Sequence, residues 1–402
     1  MAQDATERGG MAGGAGVACE FFAGMGLVRH ALERAGWRVA WANDVDPMKA
    51  RLYRAAFPGD DHFDVRDVHA VRAAELPRAD LWTASFPCTD LSLAGRGGGI
   101  YAGQSGAVWG MLGLLEATAD RPRWLLFENV VGLLTSHGGN DLRALVERVN
   151  ALGYGVEMLR VDAARFTGQS RPRLLLACTR FDDEASPGAA DLDALAPHPA
   201  RPQRLLDAMR AHADLAWQAR ELPALPSATP TIADICETLG PDDARWWPLD
   251  RARYFVEQLH PGHRARAQAM IDGERITRAC AFRRVRAVGE GGAKKSVTEL
   301  RTDGLAGCLR TPKGGSAKQI LFEAGRGDYR VRFLTARECA ALQGADLPEA
   351  VYEGFRENEI LFGLGDAVCV PAIRWALGVL RTGVPARGLL TPPGSPATGR
   401  SR

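Results

Sequence analysis

Val17-Ala-Cys-Glu-Phe-Phe22 is a short apolar run that ends on Ala23-Gly24-Met25-Gly26 and passes straight into LVRHALERAGW, Leu27 to Trp37. The first piece reads as a strand. In the second, Leu27, Val28, Ala31, Leu32 and Ala35 recur at helical spacing, and Gly36 stops the helix. A strand, a glycine turn and a helix in that order form the first half of a βαβ unit. The glycines let the backbone turn tightly and approach a ligand at the helix N-terminus.

Outward from this unit the alternation continues. A strand is expected at Val39 to Ala42, a helix at Pro47 to Ala56, strands at Asp80 to Phe86 and Arg123 to Phe127, and helices at Val108 to Thr118 and Leu142 to Leu152. Strands near Val156 to Val161 and Leu174 to Cys178 end the series. The first 180 residues therefore predict an α/β fold, a doubly wound, mostly parallel sheet whose ligands bind at the carboxyl ends of the strands. From about Asp182 the chain turns rich in Pro, Ala and Asp, and periodicity stays weak until Arg332-Phe333-Leu334-Thr335. An apolar helix at Val370 to Leu380 follows. Residues 1–16 and 383–402 read as flexible tails.

Bulk composition narrows the function classes. Hydrophobic residues at 46% and charged residues at 24% suit a folded globular chain. No signal peptide and no stretch of membrane-spanning character is read from the sequence, so a cytoplasmic location and no membrane partner are expected. The eight cysteines, at 19, 88, 178, 236, 280, 308, 339 and 369, contain no CxxC pair and predict no metal site; seven are expected to be inert. Net charge is only +2, but residues 251–330 hold seventeen Lys or Arg against eight Asp or Glu, a local excess suited to a polyanion.

Several residues fall at strand ends, where chemistry is expected. Asp44 follows the second strand about twenty residues after the glycine turn, where a carboxylate can accept from a ribose; a helix cap before Pro47 is the alternative. Asp64 ends a third short strand and can serve an adenine amino group. Cys88, in Ser85-Phe86-Pro87-Cys88, sits just beyond a strand end, better placed for reactivity than a core thiol. Glu128-Asn129-Val130 ends the next strand; Glu128 offers an acid beside the thiol, and Asn129 is expected to hold the cysteine turn. Arg171 and Arg173 alternate in an extended segment, so both should face one side.

FFAGMG, FPC, ENV, QSRPR, RFLTARECAALQG and GLGDAV stand in the order typical of carbon-5 DNA cytosine methyltransferases of the bacterial restriction-modification type, and the chain resembles that family over roughly Ala18 to Cys178 and Val331 to Leu380. The resemblance implies the S-adenosylmethionine-dependent methyltransferase fold, with a catalytic domain of 17–181 plus 331–382 and an inserted target recognition domain at 182–330. It implies Cys88 as nucleophile, Glu128 as partner of cytosine N3, and Arg171 and Arg173 steadying a flipped nucleotide. Phe22, Gly24, Met25, Gly26, Asp44, Val45, Asp64, Val65, Pro87, Asp366, Ala367 and Val368 would line the pocket for S-adenosyl-L-methionine. Lys313, Gly314, Gly315 and Ser316 would contact duplex DNA. A restriction endonuclease acting separately, and a monomeric state, go with this reading.

Three positions depart from the family pattern: Thr89 replaces the Gln after the cysteine, Asp366 replaces an Asn, and Leu27 replaces a second glycine. The rival substrate is transfer RNA, whose methyltransferases in this family carry a Cys-Phe-Thr signature not found here. A catalytically inactive DNA-binding relative is opposed by the intact Cys88, Glu128 and arginines.

Overall fold

The computed structural model describes residues 15–59, 61–87, 98–101, 104–184, 186–227, 229–288, 293–312 and 317–382. Cys88, Thr89 and Lys313 to Ser316, together with the two tails except for residues 15 and 16, lie outside the described residues.

Seven strands form the first sheet: β1 (Gly16–Phe21), β2 (Trp37–Asn43), β3 (Phe63–Asp64), β4 (Leu81–Ala84), β5 (Trp124–Val130), β6 (Tyr154–Asp162) and β7 (Pro172–Arg180), in the order β3-β2-β1-β4-β5-β7-β6. The first five are parallel, while β7 runs antiparallel to both β5 and β6. Helices α1 (Leu27–Arg34), α2 (Pro47–Ala56), α3 (Ala107–Ala117) and α4 (Asn140–Ala151) provide the crossovers and covers. Strands covered on both faces read as continuous apolar runs. In β5, Trp124 and Leu126 join one core while Leu125 and Phe127 join the other, as the period of two requires.

The compositional break at Asp182 is not the boundary of the first body. α5 (Gln203–Arg210) buries Leu205, Leu206 and Met209 in the same core as Phe127 and Val156, and Trp217 bridges to Val156. Arg201 and Arg220 both bond the fully buried Glu157 of β6. A buried carboxylate must be paired, so residues 200–220 are held on the first sheet although their composition is loop-like.

Beyond α6 (Ile232–Ile235), α7 (Leu249–Glu257) and α8 (Pro261–Ile271) comes a second, antiparallel sheet: β8 (Thr277–Val288), β9 (Ala293–Arg301), β10 (Ile320–Gly325) and β11 (Asp328–Phe333), ordered β11-β10-β8-β9. It has its own core around Phe255, Ala281, Phe322 and Val331. The strand expected at Arg332 thus ends the second body instead of opening the return to the first. α9 (Ala336–Leu342), α10 (Glu349–Gly354), α11 (Glu357–Asp366) and α12 (Val370–Arg381) follow, and α12 packs on α1 and β7. Contrary to the sequence reading, Glu357–Arg381 is long and apolar enough for a membrane span, but it is broken between α11 and α12 and largely buried within the protein.

Candidate active site at the carboxyl edge of the first sheet

The glycine turn after β1 is tied to the end of β2. Gly24 N donates to Asp44 Oδ2 at 3.0 Å, and Ala23 N donates to Asn43 O at 2.8 Å. Phe22, Gly24 and Gly26 all have positive φ, of 57°, 59° and 89°. At Gly26 space also matters, since a Cβ would lie 2.4 Å from the Phe57 ring. At Gly24 a Cβ would meet nothing within 4 Å, so open space borders the turn. Met25 is buried beneath it.

Asp44 is buried and braces this turn, its other oxygen accepting from Asp46 N at 3.0 Å. The helix-cap alternative belongs to Asp46, which accepts from Met48 N at 2.8 Å at the start of α2. Val45 beside it is 63% exposed, an uncovered apolar side chain at the strand ends. Asp64 is gripped bidentately by Arg66, Nε donating to Oδ1 at 2.8 Å and Nη2 to Oδ2 at 2.5 Å, and Val65 packs on the core. Asp366, the last residue of α11, pairs with Lys49 Nζ of α2 at 2.9 Å. The carboxylate that departs from the family pattern therefore meets a cation of this chain. Ala367 follows it with its carbonyl bonded to Arg171, and Val368 is buried.

Glu20 is the residue that motif reading missed. It lies in β1, wholly buried, with the backbone N–H of Arg29 in α1 directed at its carboxyl group. Burial, opposed by Arg29, pushes its pKa up to about 8. A strand Glu amid apolar residues, two positions before the positive-φ turn, was the available signal.

Buried Phe86 and then Pro87 follow the end of β4, just before Cys88. Asn129 Nδ2 donates to Phe86 O at 3.0 Å, which holds the cysteine turn as expected. Glu128, nearly buried at the end of β5, pairs with Arg173 Nε at 2.8 Å. Arg171 differs from the sequence expectation: it is 2% exposed and spends its guanidinium on protein groups. It donates to Leu309 O at 2.8 Å, Ala367 O at 2.6 Å, Gly365 O at 3.2 Å and Cys308 Sγ at 3.2 Å. It thereby ties the start of β7 to the end of α11 and to the segment joining β9 to β10. Gln169 adds a second tie, accepting from Leu309 N at 2.9 Å.

Cys308, expected to be inert, is set apart from the six other described thiols, all fully buried. Burial pushes its pKa up, but the neighbouring Arg171, Arg173 and Arg310 outweigh this and bring it below the ordinary thiol value. Only tertiary structure brings position 308 to Arg171 and Arg173.

The model of the C-5 cytosine-specific DNA methylase family matches residues 17–379. The chain belongs to this family. Type II methyltransferase M2.BsuMI of Bacillus subtilis (strain 168) is 36% identical over 165 residues, which covers 40% of this chain and 41% of that enzyme. Type II methyltransferase M.MspI of Moraxella sp is 30% identical over 158 residues, covering 39% and 37%. The chain thus spans less than half the length of these curated relatives. Among solved structures, the S. pombe Dnmt2 methyltransferase superposes with a TM-score of 0.56 at 16% identity, over 91% of this chain and 98% of that one. Entamoeba histolytica methyltransferase EhMeth gives 0.60 at 12% identity, over 91% and 98%. Likeness at these identities speaks for the fold alone.

Proposed function

We propose that the protein transfers a methyl group from S-adenosyl-L-methionine to carbon 5 of a cytosine extruded from duplex DNA. The ion-paired Glu128–Arg173 couple one strand away from the Pro87 turn carries the reading, because it sets a carboxyl group and a guanidinium beside the position that Cys88 follows. The residues present suit the cofactor: open space borders Gly24, and the buried carboxylate of Asp44 braces the turn beside it. Phe22, Gly24, Met25, Gly26, Asp44, Val45, Asp64, Val65, Pro87, Asp366, Ala367 and Val368 would hold it. When bound, it supplies an electrophilic methyl group.

Cytosine carbon 5 is a poor nucleophile. The Cys88 thiolate adds to carbon 6, forming a carbon–sulfur bond and moving the ring's electron pair toward carbon 5. Glu128 hydrogen-bonds at N3, where it accommodates the density displaced into the ring, and Arg173 fixes its orientation. Once carbon 5 carries the methyl group, a solvent water takes its proton, the C–H electron pair re-forms the carbon 5–carbon 6 double bond, and the carbon–sulfur bond breaks to release Cys88 as thiolate. The base must leave the stack to reach these groups. Lys313, Gly314, Gly315 and Ser316 are proposed as DNA contacts, with the second sheet and its helices as the recognition domain. A cytoplasmic location, a monomeric state and a separately acting restriction endonuclease complete the reading.

Methyl incorporation should be measured on duplex DNA and on transfer RNA, with a Cys88→Ala variant and a duplex containing 5-fluorocytosine. Incorporation into duplex, none with Cys88→Ala, and a covalent adduct on the fluorinated duplex are expected. Transfer to RNA alone, or full activity in Cys88→Ala, would overturn the proposal.

A further inference from the structure

Four arginines of the second body are held in ion pairs within the chain. Arg245 pairs with Asp243 and Glu237, Arg278 with Glu323, Arg301 with Asp303, and Arg332 with Glu338. Arg251 and Lys318 are different. Neither has an ion pair among the described residues; both stand instead on aromatic rings. The Arg251 guanidinium lies 4.0 Å from the Trp247 ring centre and 5.4 Å from that of Phe333, and Lys318 Nζ lies 5.3 Å from the same Phe333 ring. The two rings meet edge to face at 4.9 Å. Arg251 is exposed and Lys318 half-buried.

An aromatic face restrains a cation without neutralising it or consuming its N–H donors. Such a charge loses little further freedom when it meets an anion. The location is also informative. Lys318 lies in the segment joining β9 to β10, in which Gly307 N donates to Gln319 Oε1 and Leu309 is pinned by Gln169 and Arg171 of the first body. Phe333 pairs with Ile320 at the same end of the sheet. Beyond that end β8 and β9 continue as a two-stranded ribbon.

We infer that Arg251 and Lys318, mounted on Trp247 and Phe333, form a clamp for the phosphodiester backbone of the duplex beside the target cytosine. This rests on the duplex-DNA reading above and adds residues that set affinity rather than sequence choice.

The test is the salt dependence of binding to a fluorescent duplex that the wild type methylates, for wild type, an Arg251→Gln/Lys318→Gln double variant, and Arg251→Lys. Each lost phosphate contact lowers the slope of log affinity against log salt by about 0.9. The double variant should lose about 1.8, so that from about 50 to about 200 mM salt the wild type weakens about 12-fold more than the variant. Arg251→Lys should keep the wild-type slope. A variant that is merely less stable would bind less but keep the slope. An unchanged slope in the double variant, with wild type active on the duplex, sinks the clamp alone; a wild type that methylates transfer RNA and not the duplex sinks the DNA reading and the clamp together.

Discussion

Arg173 reaches Glu128 diagonally across an antiparallel pair: Glu128 stands opposite Leu175 and Arg173 opposite Val130, two positions along the same face. Diagonal neighbours of this kind are within reach of a long side chain. The pair therefore exists because β7 was inserted antiparallel beside β5.

Removing the acid while keeping its shape should separate chemistry from binding. Glu128→Gln is expected to lower the methyl transfer rate by about 100-fold or more, while affinity for the duplex changes only a few-fold. Single-turnover kinetics beside a binding titration checks this; equal losses in rate and affinity would contradict it.

Arg171 should be a stability residue before anything else. Arg171→Ala leaves the carbonyls of Leu309, Gly365 and Ala367 without their charged donor, a cost of about 3–5 kcal/mol. Urea unfolding would show a lowered midpoint, and Arg171→Lys should recover only part of it, because an ammonium cannot reach both sides as a planar guanidinium does.

Glu20 makes the ligand-free protein sensitive to pH. Its pKa, raised to about 8 by burial, means that the folded state holds a proton which the unfolded chain releases nearer its ordinary value of 4.5. The stabilisation is full below about 4.5 and is lost as pH rises through about 8, on the order of a few kcal/mol. Denaturant midpoints measured across this range should fall with pH in wild type and stay flatter in Glu20→Gln.

Cys308 should react as a depressed thiol. In a Cys88→Ala background, iodoacetamide should label Cys308 ahead of the fully buried cysteines, with a pH midpoint below the ordinary thiol value of 9.0. Arg173→Gln should move that midpoint upward, since Arg173 is among the cations that lower it. A midpoint that does not move would remove the arginine from this account.

The alternation that begins at Val17 to Trp37 determined the first sheet, because a strand buried on both faces and an amphipathic helix leave different local periodicities. The same reading set the glycine turn, Asp44, Phe86-Pro87 and Glu128 at or just beyond strand ends, by local rules alone. Tertiary structure decided what no local pattern encodes. The antiparallel register of β7 gave Arg173 to Glu128, and long-range closure sent Arg171 to Leu309 and Ala367 and placed Cys308 beside the arginines. Burial of Glu157 captured residues 200–220 for the first sheet, against their composition. Periodicity is written in neighbouring residues, but partners separated by more than a hundred positions are chosen only when the whole chain packs.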